Sequence, residues 1–432
     1  MREKLKKNRM TQNTLWSFMG KLVAMLFQVL LDITATRLLS VENYAEWVFF
    51  FSILTILFYV GRMGINTSAK VYVSKCIEIR ERDNCIRASL KLRMAISIIV
   101  AVFIIIIMPG VAGNLGYPDK YPELKALLGM AAVLVFFNSF TEYFKEIAIG
   151  LLKYKILFMI TACEYGGYFL FSVIMLLCIS EVQSIVLGYA ASGMCIFFLG
   201  FFLLRYKIGF QYKNTDGNYK DYIAPVMKYA LPIVVISFGA LVLVEMDTVM
   251  LGLLSTKAEV ANYSIAKNLC SKATQVNYAL TVGTMTTFSV LTAENIKEKR
   301  KQFSKVSKLN LLITLCISTI MLVFSTIAIK ILYGETYRTA GIIMRFLVPY
   351  YALYSISNFY SSFLDFRGKA GFRSICYVSI IVVNLILNCL LIPIYGAKGA
   401  ALATDISLVP YTVLVTIGAY KQFTKQQVKS IA

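Results

Sequence analysis

Apolar runs long enough to cross a bilayer recur along this chain from residue 14 to residue 420, and no other feature constrains its fold so strongly. A helix needs about 20 apolar residues to cross the hydrocarbon core, because each residue rises about 1.5 Å against a thickness of about 30 Å. Twelve spans are predicted, near residues 14–37, 44–69, 92–113, 124–149, 157–179, 184–204, 228–254, 260–292, 309–332, 341–366, 374–395 and 400–420. With no water in the membrane core, backbone N–H and C=O groups must pair within each segment, so an all-α polytopic membrane protein is expected. Hydrophobic residues form 58% of the 432 positions, in keeping with that class.

The basic residues orient the spans. With the N-terminus placed in the cytoplasm, the cytoplasmic segments carry thirty Lys and Arg, whereas the external ones carry only Arg37, Lys120, Lys125, Lys257, Arg338 and Lys398. That asymmetry predicts both ends in the cytoplasm. The start, MREKLKKNRMTQNTLW, has no small-residue cleavage site after a short apolar core and reads as a cytoplasmic tail. The same distribution accounts for the net charge of +21 without nucleic acid, since the cations face anionic lipid from seven loops and form no patch interleaved with stacking aromatics.

Several chemistries are excluded by composition. The chain has no histidine, which removes any imidazole base or His-ligated metal, and its nine cysteines are scattered with no CxxC pair. No phosphate-cradling glycine loop, Walker motif or nucleophile elbow is present. The longest predicted external loop, 114–125, is too short to hold the acceptor site of a glycan polymerase or glycosyltransferase. Transport and scaffolding remain.

An internal repeat divides the chain. Asp32, Leu38, Leu39 and Ser40 recur as Asp247, Leu253, Leu254 and Ser255 at an offset of 215, and the following Asn-Tyr pair recurs after a short insertion. Tyr117 and Asn138 match Tyr337 and Asn358 at an offset of 220. Two six-helix lobes related by a parallel repeat are expected, at 14–205 and 228–420, joined by a linker at 206–227 and flanked by tails at 1–13 and 421–432.

Charges inside the spans point to a cavity. Lys21, Asp32, Arg62, Glu142, Lys145, Glu146, Glu164, Glu245, Asp247, Lys267, Lys272 and Arg345 all fall within predicted helices. Each ionised group would cost about 2.5 kcal/mol or more at the centre of a lipid-facing helix. Lys21 and Arg62 form an inner basic tier, and Lys267, Lys272 and Arg345 an outer one. Such tiers suit a strongly anionic group, such as a pyrophosphate, held first from one side and then from the other. In NYSIAKNLCSKATQVNYALT, Asn268 and Gln275 belong to a polar arc too wide for a lipid-facing helix. These residues either line a cavity or only knit helices together.

The carboxylates admit two readings. Glu142, Lys145 and Glu146 stand at i, i+3 and i+4 on one helical face, so a local ion pair explains two of them without any function. Asp32 lies eleven residues from Lys21 on the same helical face. Glu245 and Asp247 lie about 200° apart around their helix and cannot readily share one partner, so one is open to a lysine of the next span and the other to titration. Asp32, Glu142, Glu245 and Asp247 thus serve as structural counter-charges or couple a cation gradient, with H+ or Na+ as the candidate ions.

The stretch YALPIVVISFGALVLVEMDTVMLGLLSTKAEVANYSIAK resembles the start of the second half of bacterial polysaccharide (Wzx-type) flippases, where Pro232 would open the helix and Asp247, Leu251, Gly252 and Tyr263 match the motif. LYGETYRTAGIIMRFLVP and NLILNCLLIPIYGAKGAALATDIS are similar to two further segments of that family, the second with Asn384, Asn388, Pro393, Gly396, Gly399 and Ala400 in place. The N-terminal NTLWSFMGKLVAMLFQVLLDITATRLLSVENYAEW is similar too, with Ala45 where the family more often has Gly. The resemblance implies the multidrug, oligosaccharidyl-lipid and polysaccharide exporter (MOP) superfamily, with its V-shaped pair of lobes in a bacterial cytoplasmic membrane and no cofactor. It implies a polyprenyl-pyrophosphate-linked oligosaccharide as cargo, moved by alternating access for O-antigen in lipopolysaccharide, capsule or exopolysaccharide. Membrane lipids, a glycan polymerase and a chain-length regulator are the implied partners. The rival within the superfamily is a multidrug exporter, which favours an acid-dominated cavity; here six cations meet six acids.

Overall fold

The computed structural model describes residues 2–76, 78–114, 120–121, 124–211, 219–285, 288, 296–366 and 370–429. Helices dominate them, and no β-strand occurs among the described residues. In chain order they are α1 (Arg2–Leu38), α2 (Val41–Arg62), α3 (Ile65–Lys75), α4 (Ile79–Asn114), α5 (Leu124–Gly150), α6 (Tyr154–Cys178) and α7 (Val182–Leu203). There follow α8 (Ile223–Leu254), α9 (Lys257–Met285), α10 (Ile296–Tyr333), α11 (Arg338–Phe366) and α12 (Ala370–Lys429). Tyr117 of the repeat lies outside the described residues, as does 212–218 of the predicted linker.

Nine stretches of the described residues are long and apolar enough to cross a membrane. The last, Cys376–Phe423, has 48 residues and would be roughly 70 Å long if straight, more than twice a hydrocarbon core, so it makes two passes. The fold between them is at Gly396, whose φ of 55° and ψ of −132° leave the helical region. Sequence reasoning separated the last two spans by a short loop; here one glycine suffices. The Glu259 carboxylate accepts the Ala397 N–H and so caps the second arm, where the exposed amides and the helix dipole favour an anion. With α8 and α9, 32 and 29 residues long, the helices are numerous and long enough for the expected twelve crossings. α9 is too polar to stand among the nine, for the residues singled out above as its polar arc.

Two expectations about helix ends need correction. The second span was expected to run unbroken over 44–69, but α2 stops at Arg62 and α3 restarts at Ile65. Pro232 was expected to open its helix, yet α8 begins at Ile223 and Pro232 stands within it.

The break after α2 is made by Met63 and Gly64, with φ of 46° and 66°. A Cβ on Gly64 would lie 2.4 Å from the carbonyl oxygen of Ala230, so the position requires glycine for space as well as for backbone angle. Ser68 donates to the Val226 carbonyl at 2.8 Å, fastening α3 to the start of α8. Gly64→Ala is therefore expected to lower stability by about 1–3 kcal/mol, from left-handed strain and the clash together. A thermal melt of the purified protein in detergent checks this, and an unchanged midpoint would contradict it.

The chain separates into two compact units, Met1–Leu241 and Val242–Ala432, the division falling inside α8. In the first, α5 is central and packs on α2, α3, α4, α6 and α7, while α1 lies along α6. Its core is aromatic: Phe140 meets Phe197 at 5.0 Å and Phe144 meets Phe201 at 5.3 Å between ring centres. Close helix contact relies on small residues, as is usual without a hydrophobic driving force between spans: a Cβ on Gly188 of α7 would come within 2.5 Å of the Ser172 backbone of α6. Before α8, Tyr219 receives a hydrogen bond from Lys91 Nζ at 2.9 Å, which draws its phenol below the usual pKa.

In the second unit α11 takes the central place, packed on α9, α10 and α12. Phe303 of α10 fills its core, 4.6 Å from Phe363 and 5.2 Å from Phe423. Apolar side chains outside the cores, such as Ile99, Phe103 and Ile106 on α4 and Leu312, Leu315 and Val323 on α10, are exposed as a lipid-facing surface requires.

Candidate functional site

The repeat reappears as side-chain geometry. Tyr44 donates to Asp32 Oδ1 at 2.6 Å in the first unit, and Tyr263 donates to Asp247 Oδ2 at 2.8 Å in the second. In each case an aspartate near the end of one helix is clasped by a tyrosine from the first turns of the next. Ser40 caps α2 by accepting the Asn43 N–H at 3.1 Å, and Thr256 accepts the Glu259 N–H at 3.3 Å before α9. These caps fix the turn that brings tyrosine back to aspartate.

In the first unit the charged residues gather where α2, α5 and α6 meet. Arg62, the last residue of α2, donates from Nη2 to Asn138 Oδ1 at 3.1 Å and lies 3.8 Å from Glu142 Oε1, with its guanidinium 4.7 Å over the Tyr59 ring. Lys145 bonds Glu142 at 2.8 Å and also bridges to Glu164 of α6, which accepts the Tyr168 hydroxyl at 3.4 Å. Two cations and two carboxylates thus balance, which offsets the cost of removing each from water. Glu142 belongs chiefly to Lys145; its contact with Arg62 is long. Arg62 Nε is buried with no hydrogen-bond partner among the described residues.

Sequence reasoning grouped Glu146 with Glu142 and Lys145. It turns instead to Lys70 of α3, at 2.8 Å, a residue assigned to a loop until the break after Arg62 placed it on a helix. Lys21 is exposed on α1, about three helical turns from Asp32 along the same helix.

In the second unit Glu245 and Asp247 part company, as their 200° separation required. Glu245 bonds Lys267 of α9 at 2.9 Å, and Lys267 also donates to Thr248 at 3.2 Å. Asp247 is buried at 4% exposure and held by uncharged donors from α9 and from both arms of α12. Besides Tyr263, Asn388 donates at 2.7 Å and Asn384 at 3.3 Å to Oδ1, and Thr404 donates at 2.6 Å to Oδ2. A lysine of the next span offsets Glu245 alone. Asn388 Oδ1 and Asp405 Oδ1 are buried without a partner among the described residues.

Lys272 and Asn268 are half-buried on α9, and Gln275 is exposed. A small recess of about 250 Å³ beside that helix is lined by Thr274, Asn277, Thr314, Ser318, Tyr351 and Ser355. Arg345 lies exposed on α11, donating to Ser325 at 3.0 Å and Thr326 at 3.3 Å of α10. Arg93 and Asp405 both fall inside predicted spans and were not singled out. Asn384 and Asn388 were noted as motif residues without their role; their i, i+4 spacing already puts both amides on one face of α12.

The fold is that of the MOP transporters. It superposes with a TM-score of 0.72 on an inward-facing multidrug resistance MATE family transporter of that superfamily, at 13% identity over 95% of this chain and 99% of the other. It also superposes with a TM-score of 0.68 on the lipid II flippase MurJ in an inward closed conformation, at 17% identity over 98% and 91%. The chain belongs to the polysaccharide biosynthesis protein family, whose model matches residues 10–284, and the MatE model matches 232–390. A probable low-salt glycan biosynthesis flippase, Agl15 of Haloferax volcanii, is 26% identical over 193 residues. That match takes in 44% of this chain and 40% of Agl15.

Proposed function

We propose that this multi-pass membrane protein is a flippase that carries a polyprenyl-pyrophosphate-linked oligosaccharide across a bacterial cytoplasmic membrane by alternating access. The glycan head passes through the protein while the lipid tail stays in the bilayer, which spares many hydroxyls the several kcal/mol each would lose in hydrocarbon. The lobes are 14–205 and 228–420, joined by the linker 206–227, with both tails cytoplasmic. A glycan polymerase and a chain-length regulator would receive the product for O-antigen, capsule or exopolysaccharide.

The observation that carries this reading is Arg62: a cation inside a helix bundle, loosely held by Glu142, with a buried donor to spare. Phosphate oxygens are the acceptors such a fork fits best. Lys145, committed to two carboxylates, is the poorer candidate. Lys21, Lys267, Lys272 and Arg345 are the further candidates for the anionic group, and Asn268 and Gln275 for the glycan hydroxyls.

Asp247 is the coupling group in this scheme. With Thr404 and the buried oxygens of Asn388 and Asp405 it offers a hard oxygen set of the kind that suits Na+ or H+. Asp32, Glu142 and Glu245 balance charge.

The test is flipping of a labelled polyprenyl-pyrophosphate oligosaccharide in proteoliposomes, with and without Na+ and proton gradients. Arg62→Ala is expected to lower the rate at least about tenfold, the effect of losing about 1.4 kcal/mol of binding. Wild type that moves no lipid-linked glycan but exports cationic dyes would replace this reading with that of a multidrug exporter, which the Asp247 site also suits.

A further inference from the structure

Arg93 is among the largest fully buried side chains of the described residues, at 0% exposure. A buried guanidinium ordinarily faces a carboxylate. This one has none among the described residues. Nη1 donates to the Arg62 carbonyl at 2.9 Å and to Asn66 Oδ1 at 3.4 Å, Nη2 donates to the Gly61 carbonyl, and Nε donates to Ser97 Oγ at 3.1 Å.

Two of these acceptors are the last carbonyls of α2. Because the chain turns left-handed at Met63 and Gly64, no further turn of helix supplies N–H donors to them, and the C-terminal end of the helix dipole collects there. Arg93 answers both needs, as hydrogen-bond donor and as counter-charge. Asn66 extends the clamp: its oxygen accepts from Arg93 while its Nδ2 donates to the Ser139 carbonyl of α5 at 3.1 Å. The break is thereby tied to α4 and α5 at once.

We infer that Arg93 is a positioning residue, which clamps the end of α2 and so sets where the Arg62 guanidinium is presented to an anion. The inference rests on the reading of Arg62 given above. The Arg62 side chain is aimed by Asn138 at 3.1 Å and by the Tyr59 ring at 4.7 Å, with Glu142 at 3.8 Å. Those contacts hold only while the end of α2 keeps its place, and Arg93 holds that end. The positive charge of Arg93 behind the break also keeps the Arg62 guanidinium on the α5 side by repulsion.

The experiment uses the full chain in nanodiscs and inorganic pyrophosphate as the probe. Binding is measured for wild type, Arg93→Lys, Arg62→Ala and the double variant, with deuterium exchange over residues 61–68 in each. Arg93→Lys keeps the charge and loses the fork. It is expected to weaken pyrophosphate about fivefold in the wild-type background, under about twofold in the Arg62→Ala background, and to speed exchange at the break. Equal losses in both backgrounds, or unchanged exchange, would overturn the inference. Should Arg93→Lys fail to fold, Ser97→Ala, which removes only the Nε acceptor, takes its place with the same expected pattern and the same overturning results. Wild type that binds no pyrophosphate would sink the reading of Arg62 itself; exchange at the break then decides the clamp alone, faster exchange upholding it and unchanged exchange overturning it.

Discussion

Asp247→Ala is expected to be among the most damaging single changes in this protein. It removes the common acceptor of Tyr263, Asn384, Asn388 and Thr404, from helices α9 and α12, in a place with 4% exposure. Each buried donor left without a partner costs about 1–3 kcal/mol. Asp247→Asn keeps the volume and one acceptor but turns an amide N–H toward donors, so it should fall between alanine and wild type. Thermal melting in nanodiscs reads the order wild type, Asn, Ala. An alanine variant that melts with wild type would show that the four donors find other partners. Transport by Asp247→Asn, measured with and without a Na+ gradient, then separates stability from coupling: a folded variant indifferent to the gradient supports the coupling role.

Lys145→Met should cost about as much in the first unit, for a different reason. Lys145 lies between Glu142 and Glu164, and removing one partner of a buried ion pair costs about 3–5 kcal/mol because the other charge stays behind. Here two carboxylates stay behind, with the distant Arg62 as the remaining cation for Glu142. Lys145→Met combined with Glu164→Gln is expected to recover much of the loss, since the residues act as one network. The measurement is the melting midpoint of both variants. A double variant less stable than the single one would mean that Glu164 has a second cation, contrary to the arrangement described here.

Legibility differed between the fold and the site, and the residues show why. Most helix spans could be read because lipid imposes a length and a composition on each segment separately, so that an apolar run announces itself without reference to the others. The repeat was legible for a related reason: Asp32 and Asp247 keep their spacing to the Leu-Leu-Ser that follows each, and a tyrosine of the next helix comes 12 residues on in the first half and 16 in the second, about one helical turn further along, so that each still reaches back to its aspartate. Glu245 and Asp247 could be told apart by their angle around one helix, and Lys267 was within reach as the first lysine inside the next span.

The break at Met63 and Gly64 was harder to see. Arg62, Asn66, Thr67 and Ser68 weaken the apolar pattern around it, but single polar residues and a glycine within a membrane helix are ordinary and do not by themselves mark a turn. The turn is decided by what packs against it, the Ala230 carbonyl on one side and Arg93 on the other, 31 residues from Arg62 in sequence. Lys70 lies one residue past the expected end of that span, yet α3 runs on to Lys75 and so carries Lys70 to Glu146.

Hydropathy and helical phase are properties of neighbouring residues, and they alone mark this chain as a polytopic helical membrane protein with a repeat and with charges inside its spans. Tertiary structure alone decided which charges meet. It gave Asp247 four neutral donors instead of a lysine, committed Lys145 to two carboxylates and left Arg62 loosely held. Those choices depend on which helices lie side by side at a given depth, and a few ångströms there outweigh any regularity that the chain carries along its length.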